Sequence, residues 1–180
     1  LGHADRHIRY AARTALEFQD RELWQSLVLA ESDPQTLITA SVALSRQGDA
    51  KLRDRLAERL LSLKLADLGE QQQLEYLRTV ALVFIRLGDP SPAVRQAFAA
   101  SLEVHYPAKS PAMNRELVQM LVYLNSPKVI AKTLKMLQPG EQTEVAVDIP
   151  EVLARNSGYG GTIAKMLANQ INLDHMHYAF

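Results

Sequence analysis

His3 and His7 stand four residues apart, one helical turn, a spacing at which two imidazoles share a metal ion when a third ligand joins them. No third ligand follows at a suitable distance. His175 and His177, two residues apart, point to different faces of a helix. Asp20 to Glu22, and Glu141, Glu144 and Asp148, supply acids for a carboxylate pair, but solvated faces and loops account for acids at these places better. The run NSGYGG at 156–161 offers backbone amides to an anion ahead of a helix. It lacks the Lys-Ser/Thr of a phosphate loop and follows no strand, which favours a tight turn. Ser, His and Asp are all present, yet no nucleophile-elbow pattern arranges them. With no cysteine in the chain, a thiolate zinc site, a cysteine nucleophile and a disulfide framework are excluded. These residues therefore predict no enzyme, no metal site and no cofactor.

The positioning elements read as helices throughout. In 180 residues, 47% are apolar and only 6% aromatic, and Ala and Leu dominate, a mixture that favours helix over strand. Residues 5–18 place Ile8, Ala11, Ala12, Ala15 and Leu16 on one face, with Arg6, Arg9 and Arg13 toward the other. A second helix is expected over 20–31, holding Leu23, Trp24, Leu27 and Val28. A third opens at Asp33-Pro34 and stops at Gly48. Long helices follow over 49–66 and over 70–87, the latter carrying Leu74, Leu77, Ala81, Phe84 and Ile85 inward. Asp89 and Pro90 are expected to start the next, with Pro107 closing it; residues 111–125 form another, and Ser126-Pro127 opens one more. From QPGEQTEVAVDIP at 138–150 the rhythm breaks into a connection, a helix near 151–154, the glycine turn, a helix over about 162–169 and a final helix over 173–180. The expected division is 1–138 for regular helices and 139–180 for capping helices that lead to a further domain, with Tyr159, His175, His177 and Tyr178 near that junction. A chain that begins at Leu1 and stops within a helix is read as a piece of a longer protein.

Overlaying the helices exposes a degenerate pattern. Asp5, Ile8, Arg9, Ala12, Ala15 and Leu16 match Asp89, Val94, Arg95, Phe98, Ser101 and Leu102 from the Ile/Val onward. Asp33 to Leu44 and Ser126 to Leu137 follow more loosely and lack the Arg. The distance from Ile8 to Val94 accommodates two repeats of about 43 residues. A single helix pair cannot bury its apolar stripe, so pairs stack, and small residues such as Ala12 and Ala15 permit close approach. An Asp caps the helix start and the Arg reaches sideways to an acid in the adjoining repeat. An irregular bundle without repeats is the alternative.

This Asp-x-x-(Val/Ile)-Arg-x-x-Ala-x-x-Ala-Leu pattern resembles the HEAT repeat over roughly residues 1–138, with Asp5, Arg9, Asp89 and Arg95 as its structural repeat positions. The resemblance implies an all-α fold, an α-solenoid of HEAT-like antiparallel helix pairs. More narrowly, HADRHIRYAARTALE, LRTVALVFIRLGDPSP, YPAKSPAMNRELVQMLVYLNSPKVIAKTLKML and GYGGTIAKMLANQINLDHMHYAF resemble the helical region of large multidomain bacterial proteins. There, HEAT repeats lie between a dehydrogenase-like propeller and a c-type cytochrome domain. That resemblance implies an extracytoplasmic location. The chain has no CxxCH, so it would be the scaffold beside a haem domain, not the haem domain itself.

Two function classes follow. One is a non-catalytic scaffold whose partners are neighbouring domains of a longer chain or another protein. The other is a HEAT-like enzyme or nucleic-acid module of the glycosylase or lyase type. Twenty basic and twenty acidic side chains cancel, and Arg53, Arg55, Arg59 and Lys64 interleave with Asp54, Glu58 and Asp67 instead of forming a stripe. Charge therefore favours the scaffold and argues against nucleic acid. The longest apolar runs, such as TVALVFI at 79–85, fall far short of the roughly 20 residues that span a bilayer, so no membrane insertion is expected.

Overall fold

The computed structural model describes residues 1–137, 162 and 176–178. Those residues form helices and turns and no strand, so the fold is all-α. The α-helices are α1 (Arg6–Glu17), α2 (Gln25–Ala30), α3 (Pro34–Gln47), α4 (Arg53–Leu61), α5 (Glu70–Leu87), α6 (Pro92–Glu103), α7 (Pro111–Tyr123) and α8 (Val129–Leu137). Single 3-10 turns precede α2 (Arg21–Leu23) and α4 (Ala50–Leu52) and follow α4 (Leu65–Asp67). Of the 139–180 region only Thr162 and residues 176–178 are described; Tyr178 is buried with the core and His177 is exposed. Tyr159, His175 and the glycine turn lie outside the described residues.

Short polar residues set the helix starts. Asp5 accepts from the His7 amide, Asp33 from Thr36, Ser91 from Val94 and Ser110 from Met113, and proline occupies the first turn of α3, α6 and α7. Proline supplies a preset φ where no intrahelical N–H is required. Gly88, at φ 95°, ends α5 in a conformation that costs glycine least. Past α7, Asn125 sits at φ 57°, Ser126 N–H donates to Leu121 O (2.9 Å) and Asn125 N–H to Val122 O (3.0 Å), a Schellman closure.

Several expected boundaries move. Asp89 does not cap α6: Ser91 does, and the helix begins at Pro92. A helix opening at Pro90 would need Ser91 in the helical region directly ahead of Pro92, where the ring disfavours it, and Ser91 is extended at ψ 155°. The 20–31 helix breaks at Trp24, and the 49–66 helix divides into a 3-10 turn, α4 and a second 3-10 turn. α6 ends at Glu103, ahead of Pro107, and α8 begins at Val129, after Ser126-Pro127.

Packing follows two rows. α1 packs on α3, α3 on α5 and α5 on α7; α2 packs on α4 and α4 on α6; α2–α3, α3–α4, α4–α5 and α6–α7 join the rows, and α8 packs on α7. The two copies of the Asp/Arg pattern consequently occupy different rows, α1 in the first and α6 in the second. α3 is enclosed from several sides, and Leu37, Ile38, Ala40, Ala43 and Leu44 are buried along with Thr39, Ser41 and Ser45. Leu56, Leu60, Tyr76, Leu77, Val80, Val83, Phe98, Leu102, Leu117 and Leu121 complete the centre of the core. Burying side chains of this size contributes roughly 1.5–3 kcal/mol each.

α1, at the end of its row, buries no residue completely, and Ala15 is exposed, so it does not serve as the close-approach position expected of it. Leu23 and Leu27 are also exposed. Two apolar pairs compete on α2, 23/27 and 24/28, and only one faces α3 and α4; Trp24 and Val28 take that side. Ile85 is 77% exposed, because its neighbour Phe84 occupies the core.

Candidate interaction surface

The chemically richest surface runs along the first row. On α1, Arg6, Arg9 and Arg13 recur at helical spacing and Tyr10 lies between them. With Ile38, Thr39 and Val42 of α3 and Glu75, Arg78, Thr79 and Leu82 of α5 they line a shallow groove of ≈ 310 Å³. The hydroxyls of Thr39 and Thr79 donate to Gln35 O and Glu75 O of their own helices (2.9 and 2.7 Å).

A polar cluster closes one end. Arg9 Nη2 donates to Glu75 Oε1 at 2.9 Å, Gln35 Nε2 to Glu75 Oε2 at 2.9 Å and Gln71 Nε2 to Glu75 Oε1 at 3.2 Å, while Gln72 Nε2 donates to Gln35 Oε1 at 3.0 Å. One carboxylate thus collects donors from α1, α3 and α5. Arg9 Nη1 also donates to His3 O and Ala4 O (both 2.9 Å), tying the residues ahead of α1 to the same cluster. At the far end of α1, Glu17 bonds Arg13 and also forms an ion pair with Arg46 of α3 (Nε–Oε2 3.1 Å). The Arg13 guanidinium lies 5.0 Å over the exposed Tyr10 ring.

Beyond Arg78 the groove meets a second depression of ≈ 190 Å³ between α5 and α7, lined by Leu77, Ala81, Phe84, Ile85, Met120 and Tyr123, with Glu116 and Gln119. Arg78 Nε donates to Glu116 Oε1 at 2.7 Å, so this ion pair forms the sill between a basic half and an apolar half.

Arg95 belongs elsewhere. Its Nη1 donates to Tyr123 O at 2.6 Å, its guanidinium lies 5.1 Å over the Tyr123 ring, and Asp89 accepts from the Tyr123 hydroxyl at 2.5 Å. This triangle joins α6 to α7 and to the turn after α5, and Tyr123 also stacks on Phe84 (centroids 5.9 Å). Desolvation, followed by the bond to Asp89, pushes the Tyr123 phenol above its ordinary value. Burial alone does the same to Tyr76.

The four residues expected as repeat positions therefore fall in two places: Asp5 and Arg9 at the head of α1, and Asp89 and Arg95 at the α6–α7 junction. The sequence reading placed Arg6, Arg9 and Arg13 on one helix face but missed Glu75, Gln35 and the Arg78–Glu116 pair. The QQQLE run at 71–75 carried the only local signal for that cluster. His3 Nδ1 accepts from the Asp5 amide (3.0 Å), and no group of three or more His, Asp or Glu suited to a metal occurs among the described residues. No helix among them is long and apolar enough to cross a membrane.

No protein-family model matches the chain, and neither curated proteins nor solved structures give a match to it.

Proposed function

We propose that this chain is a non-catalytic helical-repeat scaffold, an α-solenoid of HEAT-like helix pairs that presents a surface to a neighbouring domain or to another protein. The observation that carries the reading is the packing of helices on the next but one, α1–α3–α5–α7 and α2–α4–α6, with α2–α3, α3–α4, α4–α5 and α6–α7 joining the rows. Such neighbour-to-neighbour stacking is how repeats bury stripes that no pair buries alone. The unit is then the pair α2–α3, α4–α5 or α6–α7; Asp5 caps α1, Asp89 does not cap α6, and the Arg of the pattern is a clamp used in either row. The side chains that the sequence singled out support the same reading, because Arg9 and Arg95 tie helix to helix. On the narrower resemblance, the scaffold belongs to a larger extracytoplasmic redox protein and stands beside its haem domain.

Amide hydrogen exchange in graded denaturant tests the architecture. A stacked array opens from its ends, so α1, α7 and α8 are expected to exchange at lower denaturant than α3, α4 and α5. A single opening shared by all slow amides would make the fold an ordinary bundle. Titration with haem and with divalent metals tests the role. A stoichiometric Soret band, or metal affinity tighter than micromolar, would replace the scaffold with a cofactor protein.

A further inference from the structure

Resting on the scaffold reading, we infer that the first-row surface of α1, α3, α5 and α7 is the docking face, and that its partner is an acidic peptide segment carrying a large apolar side chain. Charge is the first argument. The chain as a whole is neutral, yet the groove is lined by four guanidiniums, Arg6, Arg9, Arg13 and Arg78, and by one carboxylate, Glu75, with Glu17 and Glu116 pairing Arg13 and Arg78 from beyond its lining. Arg9, Arg13 and Arg78 each have a carboxylate partner, whereas Arg6 has no side-chain hydrogen bond or ion pair among the described residues, so its positive charge faces the groove uncompensated.

The second argument is composition. Exposed Tyr10 beside Arg13, and Tyr123 at the other end, are side chains that anchor partners at little entropic cost. The α5–α7 depression supplies what a purely electrostatic site lacks, an apolar seat floored by Leu77 and Met120 and rimmed by exposed Ile85. The Arg78–Glu116 sill sets the register: acids over α1 and α3, the apolar anchor over α5 and α7. Nucleic acid fits less well, because three of the arginines in the groove wall are already neutralised in ion pairs and the adjoining half is apolar.

The probes are fluorescein-labelled peptides of glutamates interspersed with leucines, the matching glutamine-leucine and lysine-leucine peptides, and a labelled oligothymidylate, read by polarisation with the whole chain and mapped by amide shifts. The glutamate-leucine peptide is expected to bind about tenfold more tightly than the glutamine one and to weaken as salt rises. Arg6→Glu, at an exposed residue with no side-chain hydrogen bond or ion pair among the described residues, and Ile85→Asp, at an exposed residue, are each expected to weaken it about tenfold. Arg55→Glu on α4 is expected to leave it unchanged. Equal binding of the glutamine peptide, indifference to Arg6→Glu in a variant of native helicity, or tighter binding of the oligothymidylate would each overturn the acidic partner. If the lysine peptide instead settles on α1, α3 and α5, the partner chemistry is wrong while the scaffold reading stands. That reading fails separately, on a single shared opening in the exchange experiment.

Discussion

Arg9 of α1 and Glu75 of α5 meet at 2.9 Å although their helices are not sequential in the row; α3 lies between them and contributes Gln35 to the same carboxylate. The pair is only partly exposed, at 12% and 23% of the side-chain surface. Arg9→Ala leaves Glu75 with two amide donors, and Glu75→Gln leaves Arg9 with two carbonyls. Each substitution is expected to cost about 1–2 kcal/mol, between the values for exposed and buried pairs. In urea unfolding, the double variant is expected to cost less than the sum of the singles, since the two groups share one interaction. Strict additivity would mean that the contact does not couple the helices.

Arg95 poses a different case, because its main acceptor is the Tyr123 carbonyl at the end of α7 and its cationic face covers the Tyr123 ring. Arg95→Lys keeps the charge but loses the planar group. Arg95→Ala is expected to lower stability by about 1 kcal/mol, with Arg95→Lys recovering only part of it. Tyr123→Phe is expected to cost less than about 1 kcal/mol, because Asp89 is exposed and water replaces the hydroxyl. Tyr123→Ala also removes the stack on Phe84 and is expected to cost about 3 kcal/mol. Thermal midpoints of the four variants check the order.

What was legible in the sequence was local. Asp33-Pro34 to Gly48 bounded α3 correctly because cap, proline and stop act within a few residues of one another. Asp89-Pro90-Ser91-Pro92 contained two overlapping start signals, and the choice between them depended on the constraint that Pro92 places on Ser91. Leu23 and Leu27 read as well for core as Trp24 and Val28, since periodicity gives a stripe but not its partner. Glu75 was illegible for a stronger reason: apart from Gln71 one turn away, its donors are supplied by α1 and α3, about forty residues or more away, and no spacing rule within α5 announces those two. The rows that the helices of Arg9 and Arg95 join were illegible for a similar reason, because the row a helix joins is set by tertiary packing.

Acid should act through Asp54. Its carboxyl is held below the ordinary aspartate value by the hydrogen bonds from Arg53 (2.8 and 3.3 Å), against desolvation and with help from the Ser91 amide (3.3 Å). Because the folded value is depressed, the stabilisation is fully present above the unfolded value of about 3.9 and is lost as pH falls through the folded one. Asp54→Asn is expected to lower the urea midpoint at neutral pH and to flatten the acid limb below about pH 4. A variant whose acid limb runs parallel to that of the unmodified chain would place the linkage on other carboxylates.

The last prediction separates packing from exposure on helices that look alike in sequence. Leu117 on α7 and Leu56 on α4 are wholly buried, whereas Leu23 ahead of α2 is 73% exposed and Leu27 on it is 68% exposed. Leu117→Ala or Leu56→Ala opens a cavity among neighbours that collapse only in part, and is expected to cost about 2–5 kcal/mol. α4 packs on α3 and α5, and α7 packs on α5, so the loss should appear in the exchange of α5 as well as in the substituted helix. Leu23→Ser and Leu27→Ser remove apolar surface that already faces solvent, and are expected to shift stability by no more than about 0.5 kcal/mol. Urea unfolding of the four variants measures the contrast. Losses of similar size at Leu23 and Leu56 would mean that the outer face of α2 is covered, and that its helix contributes to the core from both sides.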